Sequence, residues 1–257
     1  MEEIIIALTA LFASALTFFS GFGLGTILTP VFVIFFPIEI AIALTGVVHL
    51  SNNVFKLLLV GKSIDFSVFL KFGVPALVGA FIGAFLLLKL GESSMAYDYE
   101  VYGVEMHFTL VKFIIAAVLL IFSVMEFLPF YEKLEFSRSA LIPGGMLSGF
   151  FGGLSGHQGA LRTAFLIKMN LSKEAFIATG VSIACVVDVI RIPIYFSSFH
   201  IVHLQENMSV LMIAIISAFA GALIGRKVLT KATYGLIKVG VGAFIILVAI
   251  ALGVGLI

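Results

Sequence analysis

Long apolar runs that are nearly free of charge limit most strongly what this chain can fold into. About 20 apolar residues span a hydrocarbon core about 30 Å thick as one helix. Six runs meet that length, at residues 38–60, 66–89, 108–128, 175–197, 207–228 and 233–256. Over the chain, 61% of the residues are hydrophobic and 11% are charged, which is too little charge to coat a soluble globule. The sequence therefore predicts an all-α polytopic membrane protein.

Two further apolar segments, residues 4–36 and 139–168, have the wrong length for a simple crossing. As single helices they would be about 45–50 Å long, too long for one crossing and too short for two. Glycines interrupt both segments, at residues 20–25 with Thr29-Pro30 following, and at residues 152–159. Because glycine lets the backbone leave the helix, we expect each segment to be a broken helix or a re-entrant hairpin.

The two interrupted segments are related in sequence, which indicates an internal repeat. At a separation of 134 residues, several residues of the first half recur unchanged in the second half. These residues are Gly25, Thr29, Ala41, Thr45, Gly46 and Val47. Farther along, the separation becomes 138, where residues 80–84 (AFIGA) match residues 218–222 (AFAGA). The expected organisation is a first repeat at 1–128, a linker at 129–138 and a second repeat at 139–257.

Basic residues predict the orientation of the two repeats, because they mark cytoplasmic connections. Lys and Arg cluster around residues 60–66, 129–138, 168–173 and 226–233, whereas the 90–107 loop is acidic. If every basic connection is cytoplasmic, the second interrupted segment enters and leaves on one side. Each repeat then has one hairpin and three crossings, so the repeats are inverted and both termini are external. Secondary transporters are built on this plan.

Polar residues inside the apolar runs form three candidate site clusters. They are His49, Asn52, Asn53 and Lys56; then His157, Gln158, Gly159 and Arg162; then Asp188 and Arg191. His49, Asn53 and Lys56 lie at i, i+4 and i+7, which is one face of a helix. Either these groups bond to neighbouring helices and Lys56 reaches the interface, or the face lines a transport pathway.

The second interruption has the chemistry of an anion site. A helix that restarts after glycine presents unpaired N–H groups and a positive dipole end, and the guanidinium of Arg162 fits an oxyanion. The alternative is that Arg162 only pairs with a carbonyl. In the first half, Gly25, Thr26 and Thr29 offer N–H groups and hydroxyls without charge. Asp188 is either a proton-coupling residue or half of a structural ion pair with Arg191.

Several functional classes are excluded by charge and motif content. The 15 basic and 14 acidic residues leave a net charge of +1, so no basic surface indicates nucleic acid. The single cysteine, Cys185, cannot form an intrachain disulfide or a cysteine-ligated metal cluster. The chain has no catalytic triad, HExxH, Walker or dinucleotide-binding motif. We therefore expect no cofactor, no metal and no enzymatic activity.

Two glycine-rich runs, at residues 21–25 leading to Thr29-Pro30 and at residues 148–156, resemble those of the sulfite exporter TauE/SafE family of anion permeases. The two-repeat layout is similar as well and covers nearly the whole chain. The resemblance implies a multi-pass protein of a prokaryotic cell (inner) membrane that moves a small anion. Sulfite, an organosulfonate and a small carboxylate are the implied substrate classes.

The sequence is thus interpreted as an exporter that works by alternating access. An inside-negative potential expels an anion without coupling, at about 2.3 kcal/mol per charge per 100 mV. The expected binding residues are Gly25, Thr26, Thr29, His49, Asn52, Asn53, Lys56, His157, Gln158, Gly159, Arg162 and Arg191. The alternatives are a cation-coupled uptake permease that uses Asp188, His49 or His157, an intramembrane enzyme and an anion channel. The expected partners are a small anionic substrate and the lipid bilayer, and a homo-oligomer is left open.

Overall fold

The computed structural model describes residues 1–20, 23–127, 136–198, 207–228 and 234–257. Three predicted features lie wholly or partly outside this part. They are the tip of the first interruption at residues 21–22, most of the 129–138 linker, and the connection at residues 199–206. The helices are α1 (Glu2–Ser20), α2 (Leu24–Phe35), α3 (Ile38–Val60), α4 (Phe66–Gly91), α5 (Leu110–Phe127), α6 (Leu141–Ser155), α7 (Gly159–Leu166), α8 (Lys173–Ser198), α9 (Met208–Val228) and α10 (Tyr234–Gly253).

Four helical stretches are long and apolar enough to cross a membrane. Among the described residues these are Ile38–Ser63, Phe66–Gly91, Lys173–Ser197 and Met208–Lys227. They correspond to α3, α4, α8 and α9. The other two expected crossings appear as the apolar helices α5 and α10. The prediction of a helical, polytopic membrane protein is confirmed at this level.

Both interrupted segments are divided into two helices. Gly156 ends α6 with a φ of +83°, a left-handed conformation that glycine adopts without steric cost. At 1.5 Å per residue, α6 and α7 are about 22 and 12 Å long, so neither reaches across a core about 30 Å thick.

The expectation that Thr29-Pro30 adds to the first interruption is wrong, because α2 continues through Pro30 to Phe35. A proline inside a helix removes the N–H that would bond to the carbonyl four residues earlier. Here that carbonyl belongs to Thr26, and the side chain of His157 interacts with the backbone of Thr26. In membrane helices, polar neighbours of this kind make an internal proline tolerable.

Two helix pairs are packed so closely that their backbones touch. Helix α6 lies along α4, and α1 lies along α9. A Cβ atom at Gly149 would overlap the carbonyl oxygen of Ala76, and one at Gly83 would overlap that of Phe150. In the other pair, a Cβ atom at Gly221 would overlap the carbonyl oxygen of Leu11. Small residues of this kind let membrane helices approach closely.

The region expected to be a 90–107 loop contains an antiparallel hairpin of β1 (Ala96–Val101) and β2 (Val104–Thr109). Helix α5 accordingly starts at Leu110 and not at residue 108. Tyr102 and Gly103 both have positive φ, as two-residue hairpin turns require. The hairpin is fixed by the chain's last residues, since the His107 N–H donates to the Gly255 carbonyl at 2.7 Å. The apolar pattern does not predict this hairpin, because strand β1 is exposed throughout and β2 along much of its length.

Candidate functional site

A small buried cavity of about 30 Å³ lies between α3, α7, α8 and the start of α2. A volume of that size holds about two water molecules. Its polar lining includes His49, Asn53, Lys56 and Arg162, and Phe18, Leu24 and Ile177 are among its apolar walls. Among the described residues, no Asp or Glu lines the cavity. The cavity is therefore basic.

Lys56 and Arg162 supply the positive charge of this cavity. Their exposed fractions are 3% and 7%. The ammonium of Lys56 lies 5.5 Å from the ring centroid of Phe18, and Nη1 of Arg162 donates to Oε1 of Gln158 at 3.4 Å. Within the described part of the chain, no carboxylate forms an ion pair with either cation. Two buried basic side chains that no described carboxylate pairs with directly favour the binding of an anion.

Local helix geometry positions these side chains. His49, Asn53 and Lys56 share one face of α3, and all three line the cavity. Arg162 lies in the first turns of α7, directly after the glycine break. On α8, a Cβ atom at Gly180 would lie 3.4 Å from Nε of Arg162. The absence of a side chain at Gly180 therefore gives the guanidinium room at the cavity wall.

Asp188 is held behind the cavity by two partners. His49 Nδ1 lies 2.6 Å from Oδ2 of Asp188, and Nε of Arg191 donates to Oδ1 at 2.8 Å. Since a carboxylate only accepts, the hydrogen of this pair is on Nδ1 of His49. Nη1 of Arg191 also donates to the carbonyl of Gly152 at 3.2 Å. The resulting network joins α3, α6 and α8, and both carboxylate oxygens of Asp188 are used within it.

Asn52, expected to bind substrate, does not line the cavity. With its amide oriented so that both ends have partners, it donates to Ser14 at 3.0 Å and to the Ala218 carbonyl at 3.2 Å. Its oxygen then accepts from Nζ of Lys56 at 3.3 Å. Asn52 therefore ties α3 to α1 and α9 and supports Lys56 from behind.

The two glycine interruptions meet next to the cavity. A Cβ atom at Gly23 would lie 3.7 Å from Cα of Gly159, and one at Gly25 would lie 3.2 Å from the carbonyl oxygen of Gly156. His157 Nδ1 donates to the carbonyl of Ser155 at 2.9 Å. The remaining candidate residues of the interruptions are buried around this contact but do not line the cavity. They are Gly25, Thr26, Thr29, His157, Gln158 and Gly159.

Three residues with a part in this region were missed at the level of sequence. The hydroxyl of Tyr195 donates to the carbonyl of Gly153, Ser14 pairs with Asn52, and the hydroxyl of Thr45 is buried without a partner. Only Thr45 had a usable signal, because it matches Thr179 in the repeat. The contacts of Tyr195 and Ser14 join residues 42 and 38 positions apart, which spacing along one helix cannot reveal.

A family model described as "Sulfite exporter TauE/SafE" matches residues 6–252. The chain belongs to the sulfite exporter TauE/SafE family. The family is one of membrane transporters of sulfite and related anions, and the basic, buried cavity agrees with that class. No curated protein and no solved structure matches the chain.

Proposed function

We propose that the protein exports a small oxyanion by alternating access and that the basic cavity is its binding site. Sulfite, an organosulfonate or a small carboxylate would each fit this chemistry. The observation that carries the proposal is that two buried basic side chains, Lys56 and Arg162, share a cavity whose described lining contains no acidic residue. A bound anion would neutralise charge that is costly to keep at membrane depth.

The donors around the cavity match an oxyanion. Arg162 offers a planar fork of N–H groups, and Lys56 adds a point charge. Asn53 contributes an amide N–H₂ that also lies 3.2 Å from Nε2 of His49. A sulfite or sulfonate group carries three oxygens and can accept from all three side chains at once. A cation would find no carboxylate among the described residues that line the cavity.

A second, larger cavity supports access from the cytoplasm. It measures about 770 Å³ and shares Phe18 and Ile177 with the walls of the small cavity. Three basic residues line it, Lys62, Lys173 and Arg226, with Glu174 as the one acid in its described lining. Basic residues of this kind are retained on the cytoplasmic side. We call this larger cavity the large vestibule; its basic lining would raise the local concentration of anions. An anion bound from this side would leave with the membrane potential.

Reciprocal helix packing supports the inverted-repeat arrangement. Under the repeat alignment, α1 corresponds to α6 and α9 corresponds to α4, and these helices pack as α1 on α9 and α6 on α4. Gly83 and Gly221 are equivalent at the 138-residue separation, and each lies against a carbonyl of the partner helix. The division into repeats at 1–128 and 139–257 is part of this proposal.

Flux through liposomes that contain the purified protein tests the proposal. Radiolabelled sulfite should enter with saturable kinetics and show counterflow. Lys56→Gln should raise the half-saturating concentration, whereas Lys71→Gln, at an exposed site on α4, should not. A current that does not saturate would identify a channel, and product formation without flux would identify an enzyme. Either result would overturn the proposal.

A cation-coupled uptake permease is the second candidate. The observation that favours it is the 2.6 Å contact of His49, which lines the cavity, with the carboxylate of Asp188. This contact offers a place where a proton and an anion could be bound together. Sulfite accumulation driven by an inward pH gradient would favour uptake, whereas flux that follows the electrical potential alone would favour export.

A further inference from the structure

A second group of polar side chains, outside the basic cavity, lacks hydrogen-bond partners. Within the described part of the chain, Nη2 of Arg191 and the hydroxyls of Thr29 and Thr45 have none, and all three residues have an exposed fraction of 0%. Each of these groups can donate a hydrogen bond. Buried donors without partners are rare and unfavourable. Three of them together indicate an acceptor that binds there.

Glycine positions show that these side chains lie close to one another. A Cβ atom at Gly156 would lie 3.2 Å from Nη1 of Arg191 and 3.7 Å from Oγ1 of Thr29. One at Gly46 would lie 3.4 Å from Nη2 of Arg191. A third glycine, Gly25, faces Thr45 in the same way, at 3.6 Å from its Cγ2, and the carbonyl of Gly156 at 3.2 Å. Arg191 and Thr29 therefore meet at Gly156, and Thr45 lies beside Gly25, which itself contacts Gly156.

The repeat alignment relates part of this group to the basic cavity. At the 134-residue separation, Thr29 corresponds to Thr163 and Gly46 corresponds to Gly180, and both of these counterparts line the cavity. Gly180 lies against the guanidinium of Arg162 just as Gly46 lies against that of Arg191, each at 3.4 Å from a Cβ position. The two contacts between a glycine and a guanidinium thus lie at equivalent positions of the two repeats, and both arginines belong to the second repeat.

We propose that Arg191, Thr29 and Thr45 form a second oxyanion site that opens to the external face. The proposal rests on the transport function proposed above. Asp188 occupies Nε of Arg191 and leaves Nη2 for the ligand, while the two hydroxyls supply further donors to an oxyanion. In this structure the three residues of the second site are fully buried. The basic cavity, in contrast, shares Phe18 and Ile177 with the large vestibule. Asp188 contacts His49 of the cavity and Arg191 of the second site, so it links the two.

Sided cysteine labelling tests where the second site opens. Thr45→Cys and Thr163→Cys are made separately in a Cys185→Ser background, and cells or oriented vesicles receive a membrane-impermeant sulfonated maleimide without sulfite. Thr45→Cys should react from the external face alone, and Thr163→Cys from the cytoplasmic face alone. Reaction of both from one face, or no reaction of Thr45→Cys from either face, would overturn the second site.

Flux measured from each side gives an independent readout. The Thr29→Val/Thr45→Val variant removes two unpartnered hydroxyls, so the fold should be unaffected. It should raise the half-saturating sulfite concentration at the external face about tenfold and leave the cytoplasmic value unchanged. Lys56→Gln should show the opposite pattern, and a change at the same face in both variants would contradict two sites.

These two readouts separate failure of the second site from failure of the proposed function. If the wild-type protein carries no sulfite or other anion but the labels keep opposite sides, the transport function is wrong and the external site stands. If sulfite flux is saturable but both cysteines label from the cytoplasm, the function stands and the second site is wrong.

Discussion

At the scale of single residues, Asp188 is the charge on which the buried polar network depends. It neutralises Arg191 and orients His49, and all three side chains are buried. Asp188→Asn should therefore fold poorly, because an unpaired buried guanidinium typically costs about 3–5 kcal/mol. The yield of monodisperse protein and its thermal unfolding in detergent measure this effect.

The double variant Asp188→Asn/Arg191→Gln is the matched control, since it removes both charges of the pair. It should recover folding, while external-face sulfite binding stays weak because Arg191 belongs to the proposed second site. A single Asp188→Asn variant that is as stable as wild type, keeps counterflow and no longer responds to a pH gradient would instead make Asp188 the proton carrier.

Arg162 should set affinity for the anion without a large effect on stability, because its side-chain hydrogen bond to Oε1 of Gln158 is long, at 3.4 Å. Arg162→Ala should weaken sulfite binding by about 1.5–3 kcal/mol, or roughly 10- to 150-fold. Arg162→Lys should restore only part of the affinity for sulfite, since a point charge does not reproduce the guanidinium fork. The sulfite concentration that gives half-maximal flux measures the affinity of both variants. Unchanged affinity in a folded Arg162→Ala protein would assign the residue to a structural role.

Spacing along one helix was enough to place part of the site. His49, Asn53 and Lys56 were expected on one face from the helical period alone, and they line one cavity. Asn52 could not be assigned in that way, because its role depends on α1 and α9. The contact between His49 and Asp188 joins residues 139 positions apart, so only tertiary packing reveals it.

At the scale of helices, the close pairing of α4 and α6 depends on glycine. Gly149→Ala should destabilise the protein, because the added methyl would overlap the carbonyl oxygen of Ala76; overpacking of this kind typically costs about 1–3 kcal/mol. Gly240→Ala, on α10, is the matched control, since among the described residues no atom beyond its own helix backbone lies within 4 Å of its Cβ position. It should keep or raise the melting temperature. Equal melting temperatures for the two variants would contradict backbone contact between α4 and α6.

Element boundaries were predictable where glycine or charge marks them and not where a distant contact compensates. The break before α7 follows from Gly156, because glycine adopts the left-handed φ of this position without steric cost. Pro30 predicted a break that does not occur. The residue that interacts with the Thr26 backbone, His157, belongs to the other half of the chain and could not be foreseen. The hairpin Ala96–Thr109 was missed for a similar reason, since its partners Val254 and Gly255 are at the end of the sequence.

At the scale of the whole molecule, the placement of basic and acidic connections gives the chain a predicted orientation. Lys62 and Lys173 lie together at the large vestibule, although residues 63–172 of the chain separate them. This shared position agrees with both connections being on one side. The hairpin that carries Asp98, Glu100 and Glu105 is expected on the other side.

Single cysteines at Lys173 and Asp98 in the Cys185→Ser background test this orientation. An impermeant maleimide should label Lys173→Cys only after the cytoplasmic face is opened and Asp98→Cys in intact cells. This expectation depends on the prediction that the second interrupted segment returns to the side it started from, since α6 and α7, at about 22 and 12 Å, are each too short to cross alone. If Lys173→Cys labels from outside, that segment crosses fully, and the two halves cannot be inverted copies. Lys62→Cys serves as the control, since its connection precedes the segment and its sidedness does not depend on how the segment folds.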